Sequence, residues 1–168
     1  MKKFSYIFFL SIFILLFFTS CESHPNMKEL LSYQNQKAEL ALRITEGERS
    51  FLVNLKLNGE EMTFTFADQD REGVQYRQMR EEIKILYEDM EIPMKDTHFL
   101  KCKEWFSLFR LSEEDAIWKI KKESLSGIDV FCCHNGFVTV YIDSASRLPF
   151  KFKTNTIEID VISFKNCI

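Results

Sequence analysis

Glycine is scarce: five residues in 168. That scarcity leaves little material for loops whose backbone closely approaches a phosphate, and neither a phosphate-cradling glycine loop nor a dinucleotide-binding fingerprint is present. A Gly-x-Ser-x-Gly nucleophile elbow and a His-Glu-x-x-His helix are absent as well. His24, His98 and His134 are the only histidines, so an imidazole is in short supply for activating a serine or cysteine. The chain has no run of basic residues to match its formal charge of −3, which argues against nucleic acid as a partner. It also lacks an internal repeat, a low-complexity tract and a second block of distinct composition. These absences leave room for one ordinary domain and remove the common enzyme signatures, although a catalytic site assembled from residues distant in sequence stays open.

What is present begins at the N-terminus. Lys2 and Lys3 precede an apolar run over residues 4–18 interrupted only by Ser5 and Ser11, and Thr19-Ser20-Cys21 follows. A short positive segment, an apolar core and a small-residue exit describe a secretory signal peptide. As a transmembrane anchor the run falls short of the roughly 20 residues that cross a hydrocarbon core. Phe18-Thr19-Ser20-Cys21 resembles the bacterial lipobox, which implies cleavage after residue 20 and a diacylated Cys21 at the mature N-terminus. Two acyl chains hold a protein stably on a membrane. The expected organisation is a signal peptide at 1–20, a lipidated tether at 21–26 and a single domain at 27–168. Losing Lys2 and Lys3 takes the formal charge from −3 to −5. The mature protein is expected at the cell membrane, lipid-anchored on the extracytoplasmic face, or on the periplasmic face of an outer membrane if the host has one.

Along the mature chain, Asn26 can cap a short helix over 27–34, with Glu29 three residues on as in a capping box. From Lys37 the period becomes two. Ala38, Leu40, Leu42 and Ile44 form one apolar row, Phe51, Val53, Leu55 and Leu57 a second, and Met62, Phe64 and Phe66 a third. Turns at Glu46-Gly47-Glu48 and Asn58-Gly59 join them, so residues 37–66 read as an antiparallel meander. Residues 72–80 have no clear period. Residues 83–87 read as a strand before a turn at Asp89, and helix remains an alternative over 75–88. Phe99, Cys102, Trp105, Phe106 and Phe109 recur at helical spacing and make an amphipathic helix with an aromatic face over 99–111. Period two then returns in strands near 117–122, 129–134, 137–143, 148–154 and 156–164, with turns at Asn135-Gly136 and Asn155. The natural architecture is α+β, an antiparallel sheet with two or three helices against one face.

Two segments echo a known family: Phe64-Thr65-Phe66 leading through a polar loop to Glu72-Gly73-Val74, and Asp143-Ser144-Ala145-Ser146-Arg147-Leu148-Pro149-Phe150 opening a late strand. With the order lipobox, helix, meander, helix, meander, the mature chain resembles the LolA/LolB-like lipoprotein carrier superfamily. The resemblance implies a curved, incompletely closed antiparallel barrel around helices on its concave face, with an apolar cavity that holds acyl chains in some members.

Of the five cysteines, Cys102, Cys132, Cys133 and Cys167 follow Cys21. Neighbours on a strand point to opposite faces, so a Cys132–Cys133 bond would be strained; buried free thiols are expected, with a bridge through Cys102 or Cys167 the alternative. Cys132 and His134 would share a face and could reach one metal, but a zinc site needs three or four ligands and no second pair stands at useful spacing. No metal, cofactor or catalytic residue is therefore assigned. The lysines near 119–122 and 151–153 read as solvated strand faces. The candidate site is apolar: Phe51, Phe64, Phe66, Trp105, Phe106, Phe109 and Phe150 are expected to line a space for a lipid, an acyl chain or another hydrophobic guest. The alternative is a core filled by these same side chains, with the outer surface presented to an envelope protein partner.

Overall fold

The computed structural model describes residues 25–68, 72–94, 100–114 and 116–167. Cys21, the signal peptide and Phe99 lie outside the described residues. A four-residue helix α1 (Met27–Leu30) and a 3-10 turn (Ser32–Asn35) lead into strands β1 (Ala38–Glu46), β2 (Arg49–Asn58), β3 (Glu61–Phe66), β4 (Gln75–Met79), β5 (Glu82–Tyr87) and β6 (Met90–Pro93). Helix α2 (Leu100–Leu108) follows, then β7 (Lys119–Leu125), β8 (Ile128–His134), β9 (Thr139–Asp143), β10 (Pro149–Lys153) and β11 (Ile157–Asn166).

All eleven strands belong to one sheet in the order β6-β5-β4-β3-β2-β1-β11-β10-β9-β8-β7. The chain enters at the centre, meanders outward to β6, crosses through α2 to the opposite edge, and meanders back until β11 pairs antiparallel with β1. Alternation sets the register. Leu40 faces Leu55, Leu55 faces Phe64, Phe64 faces Tyr76, Tyr76 faces Ile85 and Ile85 faces Ile92. A second row on the same face runs Phe51, Ile44, Ile159, Phe152, Val140, Cys133 and Ile120. A slip of one residue at any pairing would turn that strand's apolar set outward, so burial of one face fixes the whole register.

The sheet is bent around this face. Phe109, just past α2, packs on Phe64 of β3 at 6.1 Å between ring centroids and on Phe152 of β10 at 4.7 Å. Those strands are four places apart, about 19 Å in a flat sheet at about 4.8 Å per strand, whereas the two ring contacts together bridge about 11 Å. Tyr33, fully buried, meets Phe152 from the other side at 6.3 Å. The expected antiparallel, open, curved sheet is present. The helical content is smaller than the two or three helices expected on its concave face: among the described residues only α2 exceeds one turn in length.

Several local readings are corrected. The helix over 27–34 breaks at Leu31, because Ser32, Tyr33 and Asn35 are weak helix formers and Tyr33 turns inward to bury its ring. The helical alternative for 75–88 gives way to the β4–β5 hairpin, in which Tyr76 and Ile85 extend the apolar row. The strand expected from Phe137 starts at Thr139, because the Asn135 side chain accepts the backbone N–H of Phe137 and Val138 at 3.0 and 2.9 Å and holds them in a loop. Gly59, with φ of +64°, opens the β2–β3 turn; Arg80 and Glu88 occupy the equivalent left-handed position in the β4–β5 and β5–β6 turns without being glycine.

Phe64 is the centre of this packing. Phe64→Ala is expected to lower stability by about 3–5 kcal/mol, while Phe137→Ala, at a position 83% exposed, changes it by less than about 0.5 kcal/mol. Urea unfolding followed by circular dichroism measures both.

Candidate functional site

The apolar wall is assembled from β2, β3 and α2. Alternation on β3 turns Phe64 and Phe66 inward, and Phe51 on β2 stands beside Phe66 at 6.3 Å between centroids. On α2, Trp105 and Phe106 occupy the face toward the sheet, and Phe109 continues it one turn later. Phe64 touches all three, at 6.0 Å to Trp105, 4.7 Å to Phe106 and 6.1 Å to Phe109. Trp105 also meets Phe51 and Phe66, each at 6.1 Å, and Phe66 contacts Tyr76 at 5.5 Å. The tilted and edge-to-face geometries match the quadrupole preference of aromatic pairs.

Of the seven expected lining residues, Phe51, Phe64, Phe66, Trp105, Phe106 and Phe109 come together. Phe150 does not join them. It falls at the register shift between Pro149 and Lys151 in the β9–β10 pairing and lies half-buried outside the core. Phe152 and Tyr33 were missed as members of the same network; Phe152 was legible in the alternation of β10, but no periodic signal marked Tyr33. Two polar contacts tie α2 and its exit to the sheet. The indole N–H of Trp105 donates to Glu46 Oε1 at 2.8 Å at one end of β1, and the Arg110 guanidinium donates to the Glu60 carbonyl in the β2–β3 turn.

Two clefts lie away from the aromatic cluster. The larger, about 670 Å³, opens at the ends of β4–β6 between Glu72, Tyr87, Glu88, Asp89, Met90 and Glu91. The smaller, about 50 Å³, lies between Arg77, Met79, Glu82 and Lys84. The larger cleft combines acidic turn residues with Leu86, Tyr87 and Met90 at the strand ends, and nothing in the sequence marked it.

The titratable groups inside the sheet are held neutral. Burial pushes the Cys102 thiol up to about 11 and Cys133 up to about 12, and it raises Tyr33 above the ordinary phenol value. Cys132, on the opposite face of β8, is raised by burial and by Glu123. No disulfide joins the described cysteines Cys102, Cys132, Cys133 and Cys167, and Cys132 and Cys133 point to opposite faces as expected. His134 sits beside Thr139, with Nδ1 3.1 Å from Oγ1. Among the described residues no three His, Cys, Asp or Glu side chains gather where a metal ion could bind.

No family model matches the chain, and no curated sequence matches it. Among solved structures, a LolA superfamily protein from Nitrosomonas europaea is similar over 86% of this chain and 95% of its own, at 9% identity and a TM-score of 0.42. The Mycobacterium tuberculosis lipoprotein LppX is similar over 84% and 95%, at 13% identity and a TM-score of 0.40. MucB, in complex with MucA(peri), is similar over 83% of this chain at 8% identity and a TM-score of 0.47; the chain spans about half of MucB's length, 54%.

Raised thiol pKa values have two consequences. At pH 8 native Cys102 carries about a hundredfold less thiolate than an ordinary cysteine, so both Cys102 and Cys133 resist iodoacetamide until the chain unfolds. In the unfolded chain the same thiols ionise near 9 while the native fold keeps them protonated, so stability is full below that value and falls as pH climbs from 9 toward 11. Mass-resolved alkylation and urea midpoints at pH 8 and 10 check the two outcomes.

Proposed function

We propose that the chain is a membrane-tethered, non-enzymatic binding module of the cell envelope, whose aromatic trough takes one acyl chain or comparable apolar guest in the place α2 occupies when the trough is empty. The observation that supports this reading is the make-up of the α2–sheet contact: rings on the helix packed on rings of the sheet, with the Trp105–Glu46 hydrogen bond at its edge. Such a wall does not require the helix in particular. Phenylalanine has no donor or acceptor to orphan, so any apolar body of similar size satisfies it.

The magnitudes favour exchange. Burying Trp105, Phe106, Leu108 and Phe109 is worth about 1.5–3 kcal/mol each, so undocking α2 costs about 6–12 kcal/mol. A saturated chain of about twelve to sixteen methylenes gains about 0.8 kcal/mol per group on burial, about 10–13 kcal/mol in all. Helix and guest therefore compete for one wall on nearly equal terms. The tether is Cys21, with the diacyl lipid on its sulfur holding the domain at an extracytoplasmic membrane face; no described helix is long and apolar enough to cross a membrane.

A second reading has its own observation. Phe64, Phe106 and Phe109 are fully buried and packed ring on ring, which is the geometry of a permanently filled core whose outer surface serves an envelope protein partner.

The test is native mass spectrometry of residues 22–168, made without the lipid, before and after addition of long-chain fatty acids and phospholipids. One apolar molecule per chain is expected, lost on Phe51→Glu at the half-buried rim of the trough while circular dichroism stays unchanged. A protein that purifies empty and rejects every added lipid favours the filled core instead.

A further inference from the structure

The concave face runs on past the aromatic wall onto β4–β6. Phe66 meets Tyr76 of β4 at 5.5 Å between ring centroids, and the row continues through Ile85 of β5 to Ile92 of β6, the edge strand. Burial falls along that row: Phe66 is buried and Ile92 is 50% exposed. Tyr87 and Met90 pair with each other two residues along from Ile85 and Ile92, on the same face, and are 39% and 53% exposed. The wall of the trough therefore extends into an apolar wing that stays half uncovered.

Charge is sorted away from this wing. Strand alternation turns Arg77, Lys84 and Glu91 onto the opposite side of the sheet, where Glu91 accepts from Arg77 at 2.6 Å and from Lys84 at 3.1 Å. Glu82, opposite Met79, lies on that side too. No charged side chain of β4–β6 is left on the concave side.

One amide stands there instead. Gln78 sits in the neighbouring row, between Met62 of β3 and Ile83 of β5, with Met94 hydrogen-bonded to Ile83 beyond. Its Nε2 donates to the Arg80 carbonyl at 2.8 Å, which fixes which way the amide points. Its Oε1 is buried and has no donor among the described residues. Native proteins leave few buried acceptors unpaired, because each costs the hydrogen bonds it made to water. Methionines such as Met62 and Met94 repack readily, so a bound molecule reaches this oxygen by displacing side chains and leaves the strands in place. From Tyr87 to Ile83 the wing is about 13 Å long, and its three strands are about 10 Å across.

We infer that this wing gives the trough its preference among guests: an uncharged acyl lipid that carries a hydrogen-bond donor, a hydroxyl or an amide N–H, with its chain on Ile85, Met90 and Ile92 and its donor on Gln78 Oε1. The inference rests on the binding-module reading above and adds the chemical class of what is bound. An ionised carboxylate is an acceptor only, so it cannot pair with Oε1 and would be set among apolar side chains. A hydroxyl or amide N–H supplies the one hydrogen bond the fold leaves unmade.

The mature chain made without the lipid, offered an equimolar mixture of monolauroylglycerol, which carries hydroxyl donors, and methyl laurate, which carries none, tests it. The lipid retained through gel filtration is extracted and quantified by mass spectrometry. Gln78→Leu is expected to lower the ratio of glycerol ester to methyl ester by about fivefold or more, with methyl laurate still retained. Gln78→Met, unbranched and without the acceptor, reads the same ratio where the leucine variant fails to fold. Ile92→Glu, which puts a carboxylate on the half-exposed edge of the wing, is expected to cut retention of both esters by about tenfold. A ratio unchanged by the Gln78 variants, or retention untouched by Ile92→Glu, overturns the wing and leaves the trough standing. Unsubstituted protein that retains neither ester overturns both.

Discussion

A flat sheet of eleven strands would be about 50 Å wide, and a helix with its side chains is only about 10 Å across. One face of this sheet carries unbroken apolar rows from β6 to β7, and α2 is nine residues long. Bending resolves the mismatch, since it brings β3 and β10 onto opposite sides of Phe109 and lets a short helix, the 3-10 turn and the sheet's own rings cover what a flat layer would expose. The pairing of β1 with β11 holds the bend. It joins two meanders whose strands are neighbours in space but more than a hundred residues apart in sequence, a long-range closure expected to be slow to form.

That same geometry makes the concave wall a binding element. Rings of β2 and β3 need something apolar against them, and the chain supplies α2 from the crossover between the two edges. Because the crossover is not a strand, α2 can leave without breaking a ladder hydrogen bond. What holds it is burial of four side chains with the contacts of Trp105 and Arg110, a sum of the size that one acyl chain can replace. The buried thiols and phenol around the wall stay neutral, so the trough offers a guest no charge except Glu46 at its edge.

Much of this was legible in the sequence wherever one face of a strand is fully buried and its turn is marked. In β1–β3 the apolar alternation is strict and Gly47 and Gly59 punctuate it, so both strands and register could be read. The middle was harder for two physical reasons. β4 and β5 lie toward an edge where burial is partial on both faces, which blurs the alternation, and their turns use Arg80 and Glu88 in left-handed conformations usually signalled by glycine. Aromatic spacing in α2 gave its inward face, but no local pattern says that Phe109 meets Phe152, forty-three residues on. Phe150 was misplaced because a register shift in β9–β10 breaks the count by which it shared a face with the wall. The exposed residues Ile117 and Phe137 sit between strands, where periodicity carries no information about exposure.

The central claim is that guest and helix compete for one wall. Hydrogen–deuterium exchange of the unlipidated mature chain, with and without saturating palmitate, tests it most directly. The account predicts that amides of Cys102–Leu108 lose protection when the fatty acid binds while those of β1, β2 and β11 keep theirs. Unchanged protection across α2 in a protein shown to hold the fatty acid would contradict it.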